Sequence, residues 1–349
     1  MAVIVTGATS FIGRAVVEEL LKQGQKVYAV ARPGSAGLSF LKALPLNGQE
    51  GRREGAVGSV RILECNLNEI ERLKEMDITD ASAWLHLGWE GAGSANRQDP
   101  ALQAKNIGYA LSAVRTAGAL GCSRFLFSGS QAEYGICDSP MREDQPCHPV
   151  SEYGKDKVLV CRQAGELAGQ LRMDYIHTRI FSVYGPGDHP WSLISTCIDT
   201  FLKEGHMEMG PCTQQWNFLY VTEAAELLVK LLLGKAPAGV YNVAGEDTRP
   251  LRDYIEELHR LCGSLGSYHF GDRPPNAEGM VSLMPELTKL KAAVGFTQQI
   301  PFSEGIRRMV QEKKRRNLDE TLYCLRCSFM GDAASYAGQY AGFRPAYAG

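Results

Sequence analysis

Short apolar runs at 2–6, 27–31, 60–65, 83–87, 124–128 and 175–180 alternate with stretches whose apolar residues recur at helical spacing. Strands joined by helix-length crossovers pair in parallel, and their helices then cover both faces of the sheet. The runs 2–6 and 27–31 are almost wholly apolar, as strands buried on two sides require. The rhythm therefore predicts an α/β fold with a doubly wound parallel sheet. After about 179 it gives way to scattered helices and short strands, which predicts a smaller α/β C-terminal region. A chain of 349 residues is long enough for one large or two medium domains with a substantial core.

The first strand runs into Val-Thr-Gly-Ala-Thr-Ser-Phe-Ile-Gly at 5–13, followed by helical spacing from Phe11 to Leu21. Such a strand-turn-helix corner points backbone N–H groups and the positive helix end at a pyrophosphate, with glycine where a Cβ would block the approach. Gly7 and Gly13 fit that pattern, while Ser10 stands at the middle position. The same glycines also serve a corner that binds nothing.

A second signal decides more. Tyr153 and Lys157 are four residues apart at the start of an amphipathic stretch, so both lie on one helix face. An ammonium beside a phenol favours the phenolate, which makes Tyr153 a candidate proton shuttle. With 14 tyrosines in the chain, spacing alone also allows a chance pair. The strand 124–128 ends in small polar residues. A parallel sheet binds ligands at its carboxyl edge, so Ser128 and Ser130 are expected at the same crevice.

Composition narrows the class. A net charge of −2 gives no electrostatic reason for a nucleic-acid partner. No apolar run reaches membrane-spanning length, and with a strand from residue 2 no signal peptide is expected, so the predicted location is cytoplasmic. Ten cysteines lack framework spacing and read as reduced thiols; Cys324 and Cys327, the one close pair, lack the further ligands of a zinc site, so no metal is expected.

These motifs, in order, resemble an extended short-chain dehydrogenase/reductase with a Rossmann domain, in the branch of nucleotide-sugar epimerases, dehydratases and ketoreductases. The likeness covers roughly 2–312. It extends through His86-Leu-Gly, Asn106, Arg179-Ile-Phe-Ser-Val-Tyr-Gly-Pro-Gly-Asp, Asn217-Phe-Leu-Tyr-Val, Tyr241-Asn-Val-Ala-Gly and Leu287-Thr-Lys-Leu-Lys-Ala-Ala-Val-Gly-Phe. It implies a dinucleotide-binding domain at 1–178, a substrate-binding region at 179–312, and a tail at 313–349 that is either disordered or packed on a neighbouring subunit. Homodimers are common among such proteins, so the resemblance leaves a homodimer open, while the sequence itself does not set the oligomeric state.

By that resemblance Tyr153 is the acid-base, Lys157 binds the nicotinamide ribose, and Ser130 hydrogen-bonds the reacting sugar oxygen. The dinucleotide is expected against Gly7, Thr9, Ser10, Phe11, Ile12, Gly13, Arg32, Asn66, Leu67, Leu87, Gly88, Asn106, Ser128 and Phe181. The substrate, a nucleotide-linked sugar, is expected against Trp89, Gln131, Ser182, Trp216 and Arg273. His86 reads as a hydrogen-bonded strand-end residue.

Departures from the family pattern sharpen the expectation. The second strand ends in Ala31 and Arg32 instead of the acidic ribose clamp, which removes repulsion toward a 2′-phosphate and offers a guanidinium to pair with it. NADP is therefore favoured, with NAD possible, and Asn66 replaces the usual Asp near the adenine. A reductase consumes NADPH from solution, so a 4-ketoreductase leads and an NAD-dependent 4-epimerase is the alternative. Further alternatives are reduction of a non-nucleotide carbonyl and a non-catalytic cofactor sensor. Dehydratases carry an Asp-Glu pair where this chain has Gln131 and Ala132; a shifted loop would be needed to present Glu133 instead. Trp216 replaces a phosphate-binding Arg and either stacks on the ligand or fills the core. Arg273 is the expected substitute cation.

Overall fold

The computed structural model of the chain describes residues 1–44, 58–271, 274 and 279–330, with backbone alone at 317 and 319–330. β1 (Ala2–Thr6), α1 (Phe11–Lys22), β2 (Lys26–Ala31), α2 (Leu38–Ala43), β3 (Ser59–Glu64), β4 (Ala81–His86), α3 (Pro100–Ala119), β5 (Arg124–Ser130), α4 (Glu152–Gln170) and β6 (Asp174–Ile180) carry the expected alternation. A 3-10 segment, Leu67–Glu75, replaces an α-helix between β3 and β4. Then follow β7 (Ser182–Tyr184), α5 (Leu193–Leu202), β8 (His206–Met209), β9 (Gln215–Tyr220), α6 (Val221–Leu233), β10 (Gly239–Val243), β11 (Thr248–Pro250), α7 (Leu251–Leu261), β12 (Ser267–Phe270), α8 (Thr288–Val294) and α9 (Phe302–Met330).

Seven strands form the main sheet in the order β3-β2-β1-β4-β5-β6-β10, every pairing parallel. The order reverses between β1 and β4, the point where a crevice opens at the carboxyl ends of the strands. β1 is buried throughout, so its side chains divide by parity. Val3 and Val5 join the cluster with Val16 and Leu20 of α1 and Leu228 of α6, while Ile4 joins Ala113 of α3 and Val160 and Ala164 of α4. Each of the larger apolar side chains contributes roughly 1.5–3 kcal/mol on burial.

A third cluster, with Tyr184, Phe218, Tyr254 and Phe302, holds the later elements together; Tyr254 and Phe302 meet at 4.7 Å between ring centres. The divisions expected at 178/179 and 312/313 fall inside β6 and inside α9. β10 and α6, from the later segment, complete the sheet and one of its helical layers. Most of the polar stretch 44–58 lies outside the described residues, as do the side chains of Cys324 and Cys327. Cys161 and Cys197 are unpaired thiols. No helix among the described residues is long and apolar enough to cross a membrane.

Candidate active site

The corner after β1 is built of backbone. Gly7 has φ +75°, and a Cβ there would lie 2.9 Å from the carbonyl carbon of Leu87. A Cβ on Gly13 would stand 2.1 Å from the Gly7 carbonyl oxygen, so only glycine lets α1 start this close to β1. Ser10, at the position where a middle glycine was missing, is the helix N-cap: its Oγ accepts the Gly13 N–H at 3.1 Å. The hydroxyl thus does useful work for the helix start while leaving the corner open.

A cleft of about 890 Å³ runs along the carboxyl edge from this corner. Gly7, Thr9, Ser10, Phe11, Ile12, Arg32, Asn66, Leu67, Leu87, Gly88, Trp89, Ser128, Ser130, Gln131, Tyr153, Lys157, Phe181 and Ser182 all line it. Of the four other expected residues, the three that are described do not. Gly13 sits behind Ser10. Asn106 is buried and pins the loop after β4, accepting the Glu90 N–H at 2.8 Å and donating to the Glu90 carbonyl at 3.1 Å. Trp216 lines a second, adjoining cavity, and Arg273 is outside the described residues.

Tyr153 and Lys157 enter from the first turns of α4, which Ser151 caps by accepting the Gly154 N–H. Lys157 is 2% exposed. Its Nζ donates to the Ser128 carbonyl at 2.6 Å and lies 3.8 Å from the Trp89 ring centre and 5.4 Å from that of Tyr153. Burial, helped by the Arg97 charge and opposed by Glu133, brings its ammonium down to about 7. Trp89 packs edge-on against Tyr153, its indole N–H held by Gln103 at 2.8 Å. His86 is a neutral strand-end residue: burial and the nearby Lys157 push its imidazole down to about 3, and Nδ1 pairs with Thr6 Oγ1 at 2.7 Å.

Ser130 ends β5 in a capping box, its Oγ accepting the Ala132 N–H at 3.2 Å. Glu133 does not reach the cleft. It is fully buried, with Oε1 on the Ser130 N–H and His177 Nε2, both at 2.8 Å, and Oε2 on Arg179 Nε at 2.9 Å. Burial opposes its ionisation, yet those two cations hold its carboxyl below the usual range.

Arg97, Gln131 and Ser182 line both the cleft and the adjoining cavity of about 330 Å³. Buried there without a hydrogen-bond partner among the described residues are Nε1 of Trp216, Oε1 of Gln214 and Oε1 of Gln131. The sequence reading passed over Arg97, Gln214 and His189, which carry no motif; each reaches the site from an irregular segment whose path is set only by tertiary packing.

Residues 3–244 match the model of the NAD dependent epimerase/dehydratase family. The chain belongs to that family. The epimerase/dehydratase chain is 23% identical over 264 residues to a dTDP-6-deoxy-L-talose 4-dehydrogenase (NAD(+)) of Aggregatibacter actinomycetemcomitans, covering 74% of this chain and 89% of that relative. It is 24% identical over 326 residues to a UDP-glucuronate 4-epimerase of Thermodesulfobacterium geofontis, covering 89% and 95%. Among solved structures it resembles MoeE5 in complex with UDP-glucose and NAD, with TM-score 0.74, 25% identity and coverage of 91% and 100%. It also resembles the UDP-glucose 4-epimerase of Thermotoga maritima, with TM-score 0.76, 21% identity and the same coverage. It is an enzyme of the extended short-chain dehydrogenase/reductase group.

Proposed function

We propose that the protein transfers a hydride between a nicotinamide dinucleotide and a ring carbon of a nucleotide-linked sugar, C4 favoured. The observation that carries this is one cleft bringing the glycine corner, Tyr153, Lys157 and Ser130 together. The cofactor fits the site: the corner is open because two positions lack a Cβ, and the start of α1 lines the space through Phe11 and Ile12. When bound, its nicotinamide ring gives or takes the hydride.

The residues supply the rest. Tyr153 Oη moves the hydroxyl proton of the reacting carbon. Lys157 stabilises the phenolate from the same helix face. Ser130 Oγ accepts from Ala132, which leaves its own O–H available to donate to the sugar oxygen. Beyond the reacting carbon, the adjoining cavity offers the Trp216 indole N–H and the Gln214 and Gln131 amide oxygens to the nucleotide end, none of them partnered among the described residues. At 131–133 no carboxylate is placed for 4,6-dehydration, because Gln131 and Ala132 are not acids and Glu133 is committed to His177 and Arg179.

The reading extends to a 4-ketoreductase using NADPH. Arg32 is exposed at the cleft and its guanidinium makes no hydrogen bond or ion pair with the described residues. A 2′-phosphate would find a cation there and no carboxylate at the end of β2. The second reading is an NAD-dependent 4-epimerase, favoured by the near full-length likeness to UDP-glucuronate 4-epimerase. The test is the dinucleotide that the purified enzyme retains. Stoichiometric NAD supports epimerase; an empty site that takes NADPH more tightly than NADH, with the preference lost in Arg32→Ala, supports reductase. Turnover is screened with UDP-glucuronate, UDP-glucose and dTDP-6-deoxy-L-talose in both directions, and absence of any conversion defeats the proposal.

A further inference from the structure

Directly behind Ser130 the chain buries three charges. Glu133 and His177 are fully buried and Arg179 is 5% exposed. His177 and Arg179 come from one face of β6, two residues apart, and converge on the two oxygens of a single carboxylate. Glu133 in turn holds the imidazole in its charged form, outweighing the effect of burial, so Nε2 donates to Glu133 and Nδ1 donates to Tyr175 Oη at 3.0 Å. Arg179 is fixed at its other nitrogens by the Glu143 carbonyl at 3.2 Å and Cys147 Sγ at 3.0 Å. The carboxylate therefore has no freedom of its own.

What it holds is the end of β5. Oε1 accepts the Ser130 N–H, closing the capping box in which Ser130 Oγ accepts the Ala132 N–H. Gly129 leaves the necessary room, since a Cβ there would lie 2.2 Å from His177 Nε2 and 2.4 Å from Glu133 Oε1. Buried ion pairs are poor sources of stability, because well-packed apolar groups of the same volume do as well or better. A charge cluster one residue-length from a reacting hydroxyl calls for another account.

We propose that Glu133 is a positioning residue, clamped by His177 and Arg179, which sets the orientation of the Ser130 hydroxyl toward the substrate oxygen. The inference rests on the role given to Ser130 above. A donor must sit within hydrogen-bond reach of the reacting oxygen in a narrow angular range, and removing one such donor lowers turnover by about a hundredfold or more. Loosening the backbone that carries it loses part of that factor.

The experiment is a double-mutant cycle on the nucleotide sugar turned over fastest in the screen above, with dinucleotide affinity followed by fluorescence as a check on the fold. Glu133→Gln keeps an acceptor near Ser130 but removes the charge that draws in His177 and Arg179. We expect kcat to fall about tenfold with KM and dinucleotide affinity within twofold. In a Ser130→Ala background the same change should cost less than twofold, because the group it positions is gone. His177→Gln, which keeps a neutral hydrogen bond to the carboxylate, should show a smaller loss with the same dependence on Ser130. If Glu133→Gln does not fold, the His177→Gln cycle decides. An equal loss in both backgrounds, or unchanged kcat with Ser130 present, overturns the inference. Full turnover in Ser130→Ala overturns the role of Ser130 itself, a separate result.

Discussion

The two ends of the cleft meet a ligand by different means. At β1 the chain offers backbone: Gly7, Gly13 and the first turn of α1, with a serine hydroxyl turned inward as a cap. At β5 and β6 it offers side chains held by buried charge: Ser130 backed by Glu133, His177 and Arg179, and Tyr153 beside a lysine enclosed by aromatic rings. Peptide dipoles do not titrate and have no rotamers, so the first end gives binding that is indifferent to pH. The second end moves protons, and its groups are useful because burial and neighbours displace their ordinary acidities. The lesson is that affinity and chemistry in this cleft should be separable by substitution.

The largest expected separation is at the phenol. Tyr153→Phe should lower kcat by about 10²–10⁴ while dinucleotide affinity stays within twofold; equal losses in titration and turnover would show that the two ends are not distinct. The converse change is Gly13→Ala, whose Cβ would meet the Gly7 carbonyl oxygen at 2.1 Å. Backbone has no rotamer with which to yield, so stability should fall by roughly 1–3 kcal/mol and dinucleotide affinity by at least tenfold. Turnover at saturating cofactor should change much less. Differential melting curves and fluorescence titrations read both.

The smallest effect sharpens the electrostatic half. Lys157, held down to about 7, binds fewer protons folded than unfolded above that pH, so its contribution makes stability rise with pH from 7 toward the ordinary lysine range. His177, held up to about 9, binds more protons folded, so its contribution is full below the ordinary histidine value and is lost as pH climbs through 9. Between 7 and 9 the two oppose each other. In Lys157→Met only the falling one remains, and the melting temperature of that variant should drop more steeply than the native chain's across this interval. Parallel pH profiles would show that the Lys157 ammonium has an ordinary acidity.

Most of this architecture was readable beforehand, because continuous apolar runs, glycine corners and helical spacing are local. The pairing of Tyr153 with Lys157 was readable for the same reason, being one turn of one helix. Asn106, expected against the cofactor, is buried under the Glu90 loop, and nothing in the sequence showed that this loop would fold back onto it. The Glu133 clamp joins residues 44 and 46 positions apart, and only β5 pairing with β6 brings them together. A trace existed even so. His177 and Arg179 share one side of a buried strand, and two buried cations in register demand an anion. Ser10 stands where the glycine pattern has its middle glycine, and Ser at that spacing is also an N-cap signal.

β10 lies on the outer side of β6, with register from Gly239 opposite Ile176 to Val243 opposite Ile180. A fragment cut before β10 would leave β6 as a bare margin, its peptide groups open to any passing strand. The two halves of this enzyme are thus not interchangeable modules. Recombination that swaps one for a relative's half must carry this closing strand along, or yield a protein that clumps instead of folding.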